Sequence, residues 1–361
     1  MWFFVGKKNN IMEKLAVIAK VLELNPIEGA DRIERATVLG WHVVVKKGVH
    51  KIDDLVVMIF PDSYAPKRYV DDSYVGDEKT RIKTVKMRGQ YSAGLVLPLY
   101  ELTQAAIASD NPPETWEEGM EVSVWLDIEK WVAPVSASLG GETLADFPTN
   151  IVRKTDELNF RSEPQALEEA RTSEKFANVE FVATLKCDGS SGTFIFKNGE
   201  FRVCGRNKEF RKDEGNVFWR IAKKYKLEDM LRSAPVELAI QGEACGPGIQ
   251  KNPLKLDDLT FMVFQIRDVT NHKWFTWDQV KQLCDTHGIP HVPEITRFVF
   301  SKSSPSIEDL QELANNTKYD HGRANAEGVV IRPTVPIRSQ VLQQDWWSLK
   351  VMNQPYDMKK G

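Results

Sequence analysis

From residue 12 to about residue 100, apolar positions come in short runs separated by polar ones. "LAVIAKVLEL", "RIERATVLG", "WHVVVKKG", "DLVVMIF" and "SAGLVLPL" are rich in β-branched residues, and Asn25-Pro26, Gly40, Gly48, Pro61-Asp62 and Gly89 punctuate them. Short strands at even spacing with turn residues between them predict a small closed barrel. The alternation then lapses. "YELTQAAIASDNPPETWEEGMEVS" holds Asn111-Pro112-Pro113 and several acids, and reads as an exposed insertion leading into "VSVWLDIEKWV". "APVSASLGGETLADFPTN" is small, Gly-rich and bounded by prolines, which predicts an interdomain linker over 131–148.

The second half alternates strands and helices. "EFVATLKCDGSSGTFIF" and "EFRVCGRN" read as paired strands, and "VELAIQGEACG", "LTFMVFQIRD", "EGVVIRP" and "WWSLKVM" as further strands. "GNVFWRIAKKYKLEDMLR" has helical periodicity, as do "WFTWDQVKQLCDTHG" and "SIEDLQELANN", the last opened by a Ser-x-x-Asp cap. The expected fold is α+β: a barrel over 12–130, the linker, then from 149 to 361 a domain of antiparallel sheet with flanking helices.

Composition narrows the function classes. With 361 residues, 42% of them hydrophobic, the chain has enough apolar material for more than one core. No apolar run approaches the roughly 18 residues of a membrane helix. The opening "MWFFVGKKNN" places its lysines after its apolar patch, the reverse of a secretory signal, so residues 1–11 are expected to be a tail and Met12 is a candidate second start. Four cysteines without C-x-x-C pairing argue against a zinc site or a disulfide framework, and the six histidines lack H-E-x-x-H spacing. An intracellular, reducing compartment, cytoplasm or nucleus, is expected. A net charge of −3 excludes coating nucleic acid by bulk charge, so any polyanion site must be local. "RIKTVKMRG", "GRNKEFRK" and "RIAKKYK" are the candidate patches; each also reads as a plain solvated face.

The candidate chemistry centres on "TLKCDGSSGT". Lys186 ends an apolar strand, where a cation is costly unless used. A lysine is a nucleophile only as a neutral amine, which burial or neighbouring positive charge favours. Its natural target is a nucleotide α-phosphate. Such a site also needs carboxylates for a divalent metal and the ribose, a second cation for the phosphate, and an aromatic surface for the base. Glu243, Phe264, Glu327 and Lys350 each lie on a strand-like segment and supply these types.

The motifs "KCDG", "CGRN", "GEACGPGIQKN", "FMVFQI", "EGVVIR" and "SLKV", in that order, resemble motifs I, Ia, III, IIIa, IV and V of the covalent nucleotidyltransferase superfamily of ligases and capping enzymes. "GEACGPGIQKN" is similar to the version found in RNA ligases that seal nicks. "ADRIERATVLGWHVVVKKG" resembles OB-fold modules, whose barrels bind nucleic acid on one face, although a barrel used only for packing is an open alternative. An OB-fold in front of the transferase, with only "NQPYDMKKG" behind motif V, resembles the Deinococcus-type, fifth class of ATP-dependent RNA ligases. The resemblance covers residues 12 to 355 and is weakest over 101–148 and 296–320.

The resemblance implies a role for each matching residue. Lys186 attacks ATP and carries AMP. Asp188, with Gly189, orders the lysine and metal waters, though Asp188-Gly189 also reads as a simple hairpin turn. Arg206 contacts the ribose, unless it is a plain surface cation. Glu243 binds ribose or metal-bound water, and Glu327 holds the metal, Mg2+ or Mn2+. Phe264 stacks on adenine, with Phe261 as its competitor, and Lys350 touches the α-phosphate. Lys154 in "RKTDE" is a further candidate for the ATP phosphates. Motif V has one lysine where many relatives have K-x-K, and no acid follows Phe264. The implied activity is sealing of 3′-OH/5′-phosphate ends, in nicked RNA or RNA/DNA duplexes, by a monomer with no membrane partner. The alternatives are a DNA ligase, a GTP-using capping enzyme, or a non-catalytic nucleic-acid-binding protein; intact lysines and glutamates argue against the last.

Overall fold

The computed structural model describes residues 14–71, 74–107, 115–131, 141–319, 324–342 and 346–360. The expected tail at 1–11 lies outside them. The barrel is built around the strand Ala16–Pro26, which is long enough to serve two neighbours. Its first half pairs with Leu55–Ile59 and its second half with Ile33–Val38, both antiparallel. A register shift between Val21 and Glu23 marks where the pairing changes, the kind of local irregularity that bends a strand around a barrel. Trp41–Lys46 and Leu95–Pro98 complete the five-stranded sheet. The Val44 N–H donates to Ser92 Oγ at 2.9 Å, drawing Trp41–Lys46 toward the Gln90–Ala93 strand.

The run "AVIA" does not alternate because both its faces are covered. Val17, Ala19 and Val21 point into the barrel with Val38, Val43 and Met58. Ala16 and Ile18 pack outward against Leu102, Val122 and Leu126. The segment expected to be an exposed insertion is therefore partly a lid on the barrel: the helix Leu99–Ile107 buries Leu102, and Gly119–Val122 bonds along the first strand through its backbone. Its Pro-rich middle, 108–114, lies outside the described residues.

The second half forms two sheets. One has seven strands, in the order Thr143–Asp146, Lys208–Phe210, Glu200–Cys204, Ser190–Lys197, Leu238–Cys245, Thr260–Asp268, Lys273–Trp274. The other has five: Leu158–Asn159, Leu349–Met352, Gly328–Pro333, Glu180–Lys186, Glu294–Val299. All pairs are antiparallel except Leu158–Asn159 with Leu349–Met352. A core of Val182, Phe194, Ile240, Phe261 and their neighbours lies between the sheets. A second core, with Phe181, Ala183, Val329, Ile331 and Trp347, backs the five-stranded sheet under the helices Pro164–Thr172 and Ile307–Asn316. The molecule is an N-terminal OB-fold followed by an α+β domain of antiparallel sheets.

Ser190–Lys197 pairs with Glu200–Cys204 as expected, and other expectations need correction. Glu180–Lys186 belongs to the other sheet, and Cys187-Asp188-Gly189 carries the chain across. The hairpin-turn reading of Asp188-Gly189 thereby falls. The helical stretch 215–232 is two helices, Val217–Lys224 and Leu227–Ser233, because Lys226 adopts φ +50° between them. That break lets Phe218, Ile221, Leu227 and Leu231 reach one core. Within the expected linker, Thr143–Asp146 pairs with Lys208–Phe210 and extends the seven-stranded sheet; residues 132–140 are not described.

Barrel and sheets are joined through Arg161. Its guanidinium is buried, donates to the Gly40 carbonyl at a barrel turn, and reaches Gln311 Oε1 at 3.1 Å. Burial pulls its pKa down to about 10. Arg161→Ala is expected to cost about 2 kcal/mol by leaving both acceptors unpaired. Thermal unfolding should then begin several degrees lower.

Candidate active site

The crossing at Cys187-Asp188-Gly189 brings the two sheets together at one end, and the expected site residues collect there. Lys186, the last residue of its strand, faces Gly328 across the ladder. Its Nζ lies 2.6 Å from Glu327 Oε2. Glu243 comes from the other sheet, opposite Ser191. Burial pushes its carboxyl up to about 8; Lys186 opposes this, whereas the negative charges of Glu327 and Asp188 add to it. Lys186, Glu243 and Phe264 wall one cavity between the sheets, with Thr155, Val330 and Arg332.

Phe264, half-buried, faces that cavity, whereas Phe261 is fully buried and packs edge-on against Phe194 with ring centroids 5.0 Å apart. An irregularity in the strand explains the split: Gln241 opposes Gln265 and Gly242 opposes Val263, which leaves Phe264 without a ladder partner at the cavity. Arg332 holds Phe264 in place: its Nη1 donates to the Phe264 carbonyl at 2.6 Å, its Nη2 reaches Glu157 Oε1 at 3.3 Å, and its guanidinium lies 5.8 Å from the Phe264 ring.

Two tyrosines outside the expected set organise the lysine. The Tyr319 hydroxyl accepts from the backbone N–H groups of Asp188 and Glu327, each at 3.0 Å, and donates to the Lys186 carbonyl at 2.6 Å. One side chain thus fixes both the lysine and the glutamate that pairs with it. Tyr356, on the C-terminal helix Gln354–Lys360, donates to Asp188 Oδ2. Neither is signalled by its sequence neighbourhood, because the contacts of Tyr319 with Lys186 and Asp188, and of Tyr356 with Asp188, span more than a hundred residues.

Two glycines are dictated by close approach. A Cβ on Gly189 would lie 2.2 Å from the Ala244 carbonyl and 2.9 Å from Glu243 Cγ, and one on Gly328, at φ +149°, would lie 2.1 Å from the Val351 carbonyl. Gly189→Ala is expected to cost about 2 kcal/mol by overpacking and, by shifting Glu243, to slow the first chemical step about tenfold. Unfolding curves and single-turnover labelling would check the two effects.

Arg206 and Lys350 stand apart from the cavity. Arg206 is half-exposed and ion-paired with Asp156. Burial would raise the Asp156 carboxyl, but the charges of Arg206, Lys130 and Lys350 together hold it below its usual range. Lys350 pairs in register with Val330, on the same sheet face as Lys186, and lines a cleft between sheet and barrel. Lys154 Nζ donates to Asn207 Oδ1 at 2.8 Å.

Among the described residues no three His, Cys, Asp or Glu side chains form a ready-made metal cage. The donor set still suits a hard divalent cation, which commonly takes one or two carboxylates and fills its remaining positions with water and substrate phosphates. Glu243 lies close enough to Lys186, Glu327 and Asp188 for their charges to act on it. A bound cation would favour the ionised form of Glu243 that burial opposes.

A family model described as RNA ligase matches residues 179–349, and one described as an OB-fold domain matches residues 15–99. Among solved structures, the chain is similar to a Naegleria gruberi RNA ligase with PPi, at 30% identity and a TM-score of 0.81, covering 96% of this chain and 99% of that one. A mutant of that ligase with ATP and Mn matches at 30% identity and a TM-score of 0.80, with the same coverage. Another mutant, with AMP and Mn, gives 30% and 0.81 over 96% of this chain and 98% of that one. No curated protein matches the chain.

Proposed function

The chain belongs to the RNA ligase family and is an ATP-dependent RNA ligase; from this premise we propose that it seals 3′-OH/5′-phosphate nicks in duplex nucleic acid through a lysyl-AMP on Lys186. The observation that carries this reading is the placement of the Lys186 amine on the wall of a cavity that also holds Glu243 and Phe264, 2.6 Å from Glu327.

In the first step Lys186 Nζ forms a bond to the α-phosphorus of ATP. The bond from that phosphorus to the bridging oxygen breaks, pyrophosphate leaves, and the amine loses its proton. Phe264 and Val330 are suited to hold adenine between them, and Arg332 keeps the Phe264 backbone from moving. Glu243 and Glu327 would hold Mg2+ or Mn2+, which supplies positive charge that favours the neutral amine and offsets charge on the phosphate. Asp188, fixed by Tyr356, and the Tyr319 hydroxyl orient the lysine backbone. Lys350 and Arg206, at the rim, are assigned to the α-phosphate and to the ribose and acceptor end. In the second step the lysyl nitrogen leaves as AMP passes to a 5′-phosphate. In the third a 3′-OH displaces AMP and the strand is closed.

An OB-fold in front of the transferase supports membership of the Deinococcus-type class, acting as a monomer. We take the barrel with its cover, through about residue 130, as the nucleic-acid-binding unit, and 149–361 with the strand Thr143–Asp146 as the adenylyltransferase. Four free, buried cysteines suit a reducing compartment, cytoplasm or nucleus, and no helix among the described residues is long and apolar enough to cross a membrane.

The test offers labelled ATP and GTP separately, with magnesium or manganese, and then nicked duplexes with RNA or DNA on each side of the break. An acid-labile AMP adduct and sealing of a nick with RNA at its 3′-OH side are expected. Labelling by GTP alone would point to a capping enzyme and overturn the reading.

A further inference from the structure

Three basic stretches stand out in the sequence, and their place relative to the cleft that holds Lys350 separates them. Around the first motif Ia residues, Arg206 faces Asp156, Lys208 faces Asp146 and Arg211 faces Glu142. On the following helix, Lys223 pairs with Glu214 and Lys224 with Asp258. Five of the eight cations in these two stretches are thus neutralised where they stand, and none of the eight lines the cleft that holds Lys350.

The third stretch is different. Thr84–Met87 and Gln90–Ala93 form a two-stranded hairpin closed by Arg88-Gly89, with φ of 48° and 82°, the two-residue turn that matches strand twist. From Lys79 to Tyr100 the chain holds no Asp or Glu. Lys86 and Arg88 are exposed, and neither forms an ion pair among the described residues. Lys86 lies 5.0 Å above the Tyr91 ring. Val85 and Met87 add exposed apolar surface, 39% and 42% accessible.

The hairpin is also anchored to the site. Its base pair, Thr84 with Ala93, lines the cleft that contains Lys350. Thr84 bonds Asp357 on the C-terminal helix, the same helix whose Tyr356 holds Asp188. Strand alternation puts Lys86 and its partner Tyr91 on the hairpin face that continues from Thr84 and Ala93. A polynucleotide leaving the cleft beside Lys350 would next meet a lysine, a tyrosine ring and the arginine at the turn.

We propose that the hairpin Thr84–Ala93 is a clamp for the phosphate backbone of the duplex being sealed, with Lys86 and Arg88 as its contacts; this rests on the RNA ligase reading above. Its cations and aliphatic side chains match phosphate and sugar better than base edges, so the grip is independent of sequence. The test is the double variant K86A/R88A in the full chain, with a nicked RNA duplex as probe. Lysyl-AMP formation from ATP should be unchanged. Duplex affinity at about 0.1 M salt should fall about tenfold, equally for two unrelated sequences, and the slope of log Kd against log salt should drop by about 2. K86R/R88K should bind like the unaltered protein. An unchanged salt slope would overturn the clamp, as would loss of lysyl-AMP formation in the variant, which would place the hairpin's role at ATP. Failure of the unaltered protein to form lysyl-AMP would instead sink the ligase reading itself.

Discussion

Lys186→Ala is expected to abolish the AMP adduct and, with it, sealing of any substrate that lacks a pre-formed 5′-adenylate. No neighbouring amine can replace it. Lys350, two strands away on the same sheet face, lines a different cleft, and Lys154 is turned toward Asn207. The loss should be on the order of 10⁴-fold or more, as for removal of a nucleophile elsewhere. Lys186→Arg should be as inactive as alanine, because a guanidinium keeps its proton and is not nucleophilic. A chemically pre-adenylylated nicked duplex separates chemistry from folding: the Lys186→Ala protein should still close it, since that step needs only the 3′-OH and the site around the AMP. Labelling of the alanine variant by ATP would refute the assignment.

Glu327→Ala should give the second largest loss, on the order of 10³-fold in lysyl-AMP formation. The physical reason has two parts. A carboxylate 2.6 Å from Nζ positions the amine, yet it also favours the protonated, unreactive form. If Glu327 only held an ammonium, Glu327→Gln would keep the hydrogen bond, release the proton more easily and react faster. If its charge serves a divalent cation, Gln should lose nearly as much as Ala and should require more manganese for half-maximal labelling. We expect the second result. Single-turnover labelling over a manganese titration distinguishes them, and a Gln variant faster than the unaltered protein would overturn the metal role. Removing the side chain should leave the fold intact, because the Glu327 backbone N–H is held by Tyr319 and its neighbour Gly328 fixes the strand entry.

Much of this site is readable in the chain because its chemistry needs particular residue types at particular ends of strands. Lys186 closes an apolar run, Glu327 precedes one and Glu243 is embedded in another, positions where a charge is costly unless it has a partner. Motif order favours Phe264 over Phe261, and the structure separates them by burial: Phe261 is sealed in the core while Phe264 lines the cavity. Tyr319 and Tyr356 left no trace in local pattern, and Arg332 closes the motif "EGVVIR" without revealing its contact with Phe264. Each works through a hydroxyl or guanidinium that meets its partner across a fold-level gap, and a tyrosine or arginine on a surface would read the same.

The errors have a common origin. "TLKCDGSSGT" between two strand patterns is indistinguishable from a hairpin until sheet membership is known, because strand propensity does not encode the partner. The cover over the barrel reads as an exposed insertion because its acids and prolines dominate the composition, while Leu102 and Val122, which do the packing, are few.

By itself the sequence determined most of the strand positions, through side-chain period and turn residues, and its ordered motifs carried the resemblance that sets an OB-fold before a transferase. Only the tertiary structure decided that motif I crosses between two sheets, that two tyrosines hold it there, and that the hairpin carrying Lys86 and Arg88 stands beside the cleft of Lys350. Each of these depends on which residues meet across long separations in the chain, and that is set by packing two sheets and a barrel against one another.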